Sequence, residues 1–237
     1  METTLHHAPA AATPAATTAP RLDFYAGIHK ALRLFMTDTL TRLGRIDADE
    51  AADLGPALAQ FGTLLEVLAD HVEHENSFVH AAIEARRPGG ATVTADAHEE
   101  HVASIEQLRA EGLRLAALPA GQRAAAAHKL YLHLALFVAE NLQHMQVEET
   151  VNNATLWALY TDAELLEIHD RLVASIAPQK MVEILRWMAP AFAPKELAGM
   201  LGGMRAGMPP EAYLGVVAVV QSRIDAARWA QVERLLG

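Results

Sequence analysis

The chain has 237 residues, half of them apolar and a fifth charged, with a formal net charge of −10. That size and composition fit a soluble globular protein of one large domain, or one domain and a smaller one. The negative charge argues against a non-specific nucleic-acid binder and against an anionic membrane surface. There are no cysteines, so disulfides, thiolate metal sites and cysteine nucleophiles are excluded.

Residues 1–20 are rich in Ala, Thr and Pro, lack a basic start and a continuous apolar stretch, and read as a disordered tail. No targeting or membrane-spanning segment is visible, so a cytoplasmic location is the default expectation. From there the chain is punctuated by Gly44 with Asp47–Asp49, by Pro88-Gly89-Gly90 and by Pro119-Ala120-Gly121. The Ala-, Leu- and Glu-rich stretches between these breaks have helical spacing and almost no strand signal. They predict helices over about residues 22–44, 50–86, 94–117 and 121–159. Short connections make neighbours antiparallel, so the expectation is an all-α, up-down-up-down four-helix bundle over residues 21–159. Beyond Trp157, Thr161-Asp162 and Pro178, Pro194 and Pro209 mark starts of shorter helices, and Asp225 is a candidate cap for a last one. Residues 160–237 are expected to form a small helical appendage, packed on the bundle or pairing two subunits into a homodimer.

Nine of the twelve histidines fall between His29 and His144. Four of them interrupt apolar seams. His29 lies in the line Leu22, Tyr25, Leu32, Met36, Leu40, Leu43. His71 and Glu75 lie in the line Phe61, Leu64, Leu65, Leu68, Val72, Val79, Ala82. His98 lies one turn before Val102, Ile105 and Leu108, and His144 and Glu148 follow Leu130, Leu134, Phe137, Val138 and Met145. At about 100° per residue, His71 and Glu75 lie roughly 40° apart on one face. Each predicted helix therefore sends a histidine inward, and two send a carboxylate as well. Burying unpaired carboxylates costs several kcal/mol each, and metal ions are the compensation such a set implies. His29 and His98 sit near helix starts, the other two pairs near helix ends, so an alternating bundle brings all of them into one layer.

The segments Ile28-His29-Lys30 with Arg33, HVEHENSFVHAAIEARRPG, AHEEHVASIEQL and FVAENLQHMQVEET together resemble the hemerythrin-like, or HHE cation-binding, family, and the tail resembles the extension of a bacterial subgroup. The resemblance implies two iron ions with a bridging oxo or hydroxo group. His29, His71, His98 and His144 would be terminal ligands, and Glu75 and Glu148 would bridge. Oxygen-carrying members have a further histidine where Val102 stands here, which leaves His101, His74 or Tyr25 as candidates for that corner. If none binds, an extra open position favours redox chemistry over reversible oxygen carriage.

Three functions are compatible with these residues. The first is a protein that binds or senses O2 or NO. The second is a di-iron peroxidase or catalase-like enzyme that removes hydrogen peroxide. The third is a metal-stabilised interaction module. A ferritin-like site is disfavoured, because no histidine has a glutamate three residues before it. A mononuclear zinc hydrolase would leave the paired carboxylates unexplained. His133 lies about 16 Å along the axis from His144, out of reach. His80 is expected to point away from the His71 face, toward solvent. Glu99, Glu100 and Glu149 are expected to be solvated or to support ligands from behind, and His128 and His169 carry no signal.

Overall fold

The computed structural model describes residues 21–237, and the predicted disordered tail, residues 1–20, lies outside the described residues. The described residues are helical throughout, with no strand among them. The helices are α1 (Ala26–Leu43), α2 (Ala51–His74), α3 (Ala81–Arg86), α4 (Thr92–Ala117), α5 (Ala124–Val147) and α6 (Asn153–Leu159). They continue with α7 (Asp162–Ser175), α8 (Pro178–Ala191), α9 (Pro194–Gly207), α10 (Pro210–Gln221) and α11 (Ala226–Leu236). Two π-helical stretches, Glu75–His80 and Glu148–Asn152, join α2 to α3 and α5 to α6 without a break, so these form two long rods. None of these helices is long and apolar enough to cross a membrane.

α1 packs on α2 and α5, and α4 packs on the same two. Gly112 is required where α4 meets α2: a Cβ there would lie 2.9 Å from the Phe61 ring. The turn before α4 is built by Gly89, at φ 78°, and by the Glu84 carboxylate, which accepts from the Gly89 and Ala91 amides at 2.6 and 2.8 Å. An L-residue with a side chain would be strained at that φ.

Two apolar clusters bracket a polar layer. The larger contains Phe35, Met36, Phe61, Leu65, Leu108, Leu134 and Phe137. The smaller contains Tyr25, Val79, Ile83, Ala91, Leu156 and Leu165. Along α1, α4 and the two rods, the histidine and glutamate positions fall between residues of one cluster and residues of the other. In α4 the buried residues are Thr94, His98, His101, Ile105, Leu108, Gly112 and Leu115, an alternation of four- and three-residue steps. That alternation corrects the predicted seam: Val102 is 46% exposed, while His101 is buried at 5%. A strict four-residue step from His98 drifts off the buried stripe, and the three-residue step stays on it.

The C-terminal helices start where expected. A capping box at Thr161 opens α7, Pro178 and Pro194 are the first residues of α8 and α9, Pro209 caps α10, and the Asp225 carboxylate accepts from the Arg228 amide. They carry a third cluster around Phe192, Leu197, Leu201, Val220 and Val232. Their anchor is Trp187 of α8, which belongs to the large core cluster and stacks on Phe35 of α1 with ring centroids 3.9 Å apart. Lys180–Asp70 (2.6 Å) and Lys30–Glu196 tie the edges. Replacing Trp187 by Ala should therefore destabilise the whole chain by about 3 kcal/mol, the usual range for a buried aromatic. Denaturant unfolding followed by circular dichroism measures this. An unchanged main transition would mean that α8–α11 fold apart from the rest.

Candidate metal centre

Both long rods end their regular α-helical course at a glutamate. Glu75 and Glu148 are each the first residue of a π-helical stretch, and both are buried. Each has a histidine one α-turn before it: His71 Nε2 lies 3.3 Å from Glu75 Oε1, and His144 Nε2 lies 3.2 Å from Glu148 Oε1. His29, from the first turn of α1, reaches between the carboxylates, with Nε2 3.6 Å from Glu75 Oε1 and 3.5 Å from Glu148 Oε2. His98 of α4 also reaches both, with Nε2 3.3 Å from Glu75 Oε2 and 3.5 Å from Glu148 Oε1.

The six side chains form two overlapping sets of metal-ligating chemistry: His29, His71, Glu75 and Glu148, and then Glu75, His98, His144 and Glu148. Each carboxylate turns one oxygen toward each set. Ligands about 2.1 Å from one ion at right angles lie about 3 Å apart. The observed separations cluster just above that spacing.

The donor set fits a metal better than it fits a hydrogen-bond network. His29 Nε2, His71 Nε2, Glu75 Oε2 and both oxygens of Glu148 are buried without a hydrogen-bond partner. Leaving such groups orphaned costs about 1–3 kcal/mol each, more for charges. His98 and His144 bring their Nε2 atoms to 3.0 Å, close enough to share a proton and also the spacing of two ligands on one ion. The ligand faces are also fixed from behind. His29 Nδ1–H donates to Glu149 Oε1 at 3.0 Å, and Arg33 holds that carboxylate with two bonds of 2.6 and 3.1 Å. His98 Nδ1–H donates to Asn76 Oδ1 at 2.7 Å. Such bonds fix the tautomer that presents Nε2 inward.

The electrostatics follow the same division. Burial opposes charge on His29 and His98, but the carboxylates facing them, Glu149 and Glu75 for the first and Glu148 and Glu75 for the second, carry each up to about 9. Burial, helped by the neighbouring His29 and His98, drives His71 down to about 4. Burial with the neighbouring His144 and His98 drives His101 to about 4. Glu149 falls to about 2 through His29 and then Arg33. Both central carboxylates lie below their ordinary range despite burial, held there by the histidines around them.

Of the candidates for the extra corner, His101 is beside the second set: its ring lies 4.7 Å from that of His144 and at 82° to it, and its Nδ1 is buried without a partner. Tyr25 is buried against His29, with ring centroids 5.2 Å apart. His74 is half-buried and belongs to neither set. His133 pairs with Glu111 at 3.0 Å, away from the layer, and Glu99 and Glu100 are exposed.

The expectation for His80 is overturned. It is buried, stacks on His98 at 4.7 Å, and places Nε2 3.0 Å from Thr94 Oγ1 and 3.9 Å from Glu148 Oε1. In an α-helix, Glu75 and His80 would face about 140° apart. The π-helical stretch between them closes its turns with bonds to the fifth residue, which brings His80 round to the Glu75 side. The five-residue interval was the available signal.

No protein-family model matches the chain, and no curated protein is similar to it at a significant level. Fold and site together define an all-helical protein with a buried histidine–glutamate layer of metal-ligating chemistry.

Two outcomes test this geometry. His80→Ala removes a ring stacked on His98 and should weaken metal binding by about tenfold, the scale of losing a group that supports a ligand from behind. Val102→His, on the exposed face, should alter neither metal content nor affinity; competition against a chelator reads both. Metal affinity should also weaken as the pH is lowered. His29 and His98 hold protons near neutral pH but must be neutral to ligate, so metal displaces them. Below about pH 9 each displaced proton costs up to about tenfold in affinity per pH unit. Calorimetry in two buffers of different ionisation enthalpy should show proton release, and none would mean that other groups bind the metal.

Proposed function

We propose that this chain is a non-haem di-iron protein of the hemerythrin-like kind, an up-down four-helix bundle that binds O2 or NO reversibly. The observation that carries the reading is the sharing of Glu75 and Glu148: each turns one oxygen to the His29–His71 set and one to the His98–His144 set. A single ion needs no such sharing, whereas two ions held by bridging carboxylates do. Four imidazole nitrogens and carboxylate oxygens suit iron in an octahedral field. Two ferrous ions supply the electrons that reversible O2 binding draws on.

His29 and His71 would hold one ion, His98 and His144 the other, and His101 is placed to join the second pair. With His101 and an oxygen bridge shared by both ions included, the octahedral count leaves about one position for an exogenous ligand, on the His29–His71 side. That placement favours binding over peroxide turnover. The expectation of a doubly open site rested on Val102 standing where a ligand should be, and Val102 faces away from the layer. The burial of the site, bracketed by two apolar clusters, restricts access to small molecules.

Purified protein should carry about two iron ions per chain, bound through nitrogen and oxygen alone. The reduced protein should gain a visible absorption band in air and lose it on removing oxygen. A single zinc in protein grown with ample iron would sink the di-iron reading. Steady consumption of hydrogen peroxide with no reversible spectrum would move the assignment to a peroxidase.

A further inference from the structure

A hydrogen-bonded chain runs beneath the carboxylates from one side of the layer to the other. Asn152 Nδ2 donates to Tyr25 Oη at 3.3 Å and to Thr94 Oγ1 at 3.1 Å, and His80 Nε2 lies 3.0 Å from the same Thr94 oxygen. All four residues are buried. The Thr94 hydroxyl proton goes to the Ala91 carbonyl at 3.1 Å, so its oxygen accepts from both neighbours and His80 donates through Nε2–H. The chain is built from the two π-helical stretches. Each begins with a carboxylate of the site, Glu75 or Glu148, and each ends with a member of the chain, His80 or Asn152. π-helical turns are rare and frequent at functional sites, and here both place their first and last residues around one layer.

The bonding leaves one donor unspent. Tyr25 Oη accepts from Asn152, and among the described residues its own proton has no acceptor. A buried hydroxyl without an acceptor is costly, and such a donor signals a missing partner. Tyr25 precedes α1 by one residue, its carbonyl accepts from the His29 amide at 2.9 Å, and its ring lies against the His29 imidazole. Its ring therefore lies on the His29 side of the layer, the side on which the coordination count leaves a position open, and its oxygen is fixed by Asn152.

We infer that Tyr25 is the hydrogen-bond donor to a small acceptor ligand, of the size and polarity of O2 or azide, taken on the His29–His71 side. Asn152 and Thr94 are positioning residues: by donating to the phenol oxygen, Asn152 frees the phenol proton for the ligand and holds the ring against rotation. This rests on the di-iron reading above, and it adds what selects and retains the ligand there.

Azide binding to the iron-loaded protein, followed by absorption, tests it. Tyr25→Phe should keep its iron and bind azide about tenfold more weakly, the loss expected for one bond to a charged acceptor. Asn152→Ala should weaken azide binding on its own but have no further effect in the Tyr25→Phe background, since it acts through the phenol. Equal azide affinity in wild type and Tyr25→Phe overturns the assignment, as does additivity of the two changes. Loss of iron in Tyr25→Phe overturns it too, because the phenol would then be a ligand. A wild type that holds iron but takes no azide overturns the di-iron binding reading together with this one.

Discussion

Two carboxylates buried at the centre of a helical protein are the constraint on which the remaining structure turns. Glu75 and Glu148 are all but inaccessible to solvent, and desolvating an anion costs several kcal/mol even after relaxation. Four imidazoles converge on them, yet most of the facing atoms make no hydrogen bond. Protons on His29 and His98 offset the charge but leave those atoms unbonded. Cations between the oxygens and nitrogens would satisfy both the charge and the unbonded atoms. Metal binding to such a layer is part of folding free energy, since the unfolded chain holds no preformed site.

The constraint also explains where the rods depart from regular helix. A continuous α-helix through Glu75 would carry His80 to the outside, and the turn would then offer the layer only His71 and Glu75. Widening the turn at the glutamate keeps the backbone bonded while rotating the residues beyond it. The rods thus supply a histidine on the near side of each carboxylate and a further polar residue on the far side. His80 then stacks on His98, and Asn152 bonds to Tyr25 and Thr94. The same feature serves packing: Val79, within the first wide turn, and Ile83, beyond it, enter the smaller apolar cluster, which closes the layer from below.

Much of this is legible from residue spacing. Gly and Pro punctuation locates the helix breaks, and Pro178, Pro194 and Asp225 locate later helix starts, because capping chemistry is local. The polar interruptions at His29, His71, Glu75, His98, His144 and Glu148 stand out against apolar seams, because a 3.6-residue period holds in the segments that carry them. The failures lie where that period does not hold. Spacing misplaces His80 because the turn before it is π-helical, and hydrophobic patterning cannot distinguish a widened turn from an ordinary one over so few residues. Spacing misplaces Val102 because three- and four-residue steps both fit an isolated histidine, and only the packed neighbours decide between them. The outer partners Glu149 with Arg33, and Asn76, depend on contacts between segments far apart in the chain, which spacing does not encode.

The position of α1 is the remaining requirement, and it gives the C-terminal helices a role in the site. α1 contributes His29 and the Arg33 that braces Glu149, and Tyr25 stands at its start. Unlike the two rods, α1 holds no π-helical stretch, and its start is held by Asp23, whose carboxylate accepts from the Tyr25 and Ala26 amides. Its most extensive packing is not against α2 or α5 but against α8. Trp187 stacks on Phe35, Lys30 pairs with Glu196, and the Phe192 ring lies where any side chain at Gly27 would press against it. These contacts span the same turns of α1 that carry His29 and Arg33. A displacement of about one ångström, the scale at which positioned groups lose function, would draw His29 away from both carboxylates at once, because it reaches between them. The C-terminal helices therefore act on the layer through the backbone of α1, fixing a helix whose histidine meets carboxylates that all come from other elements.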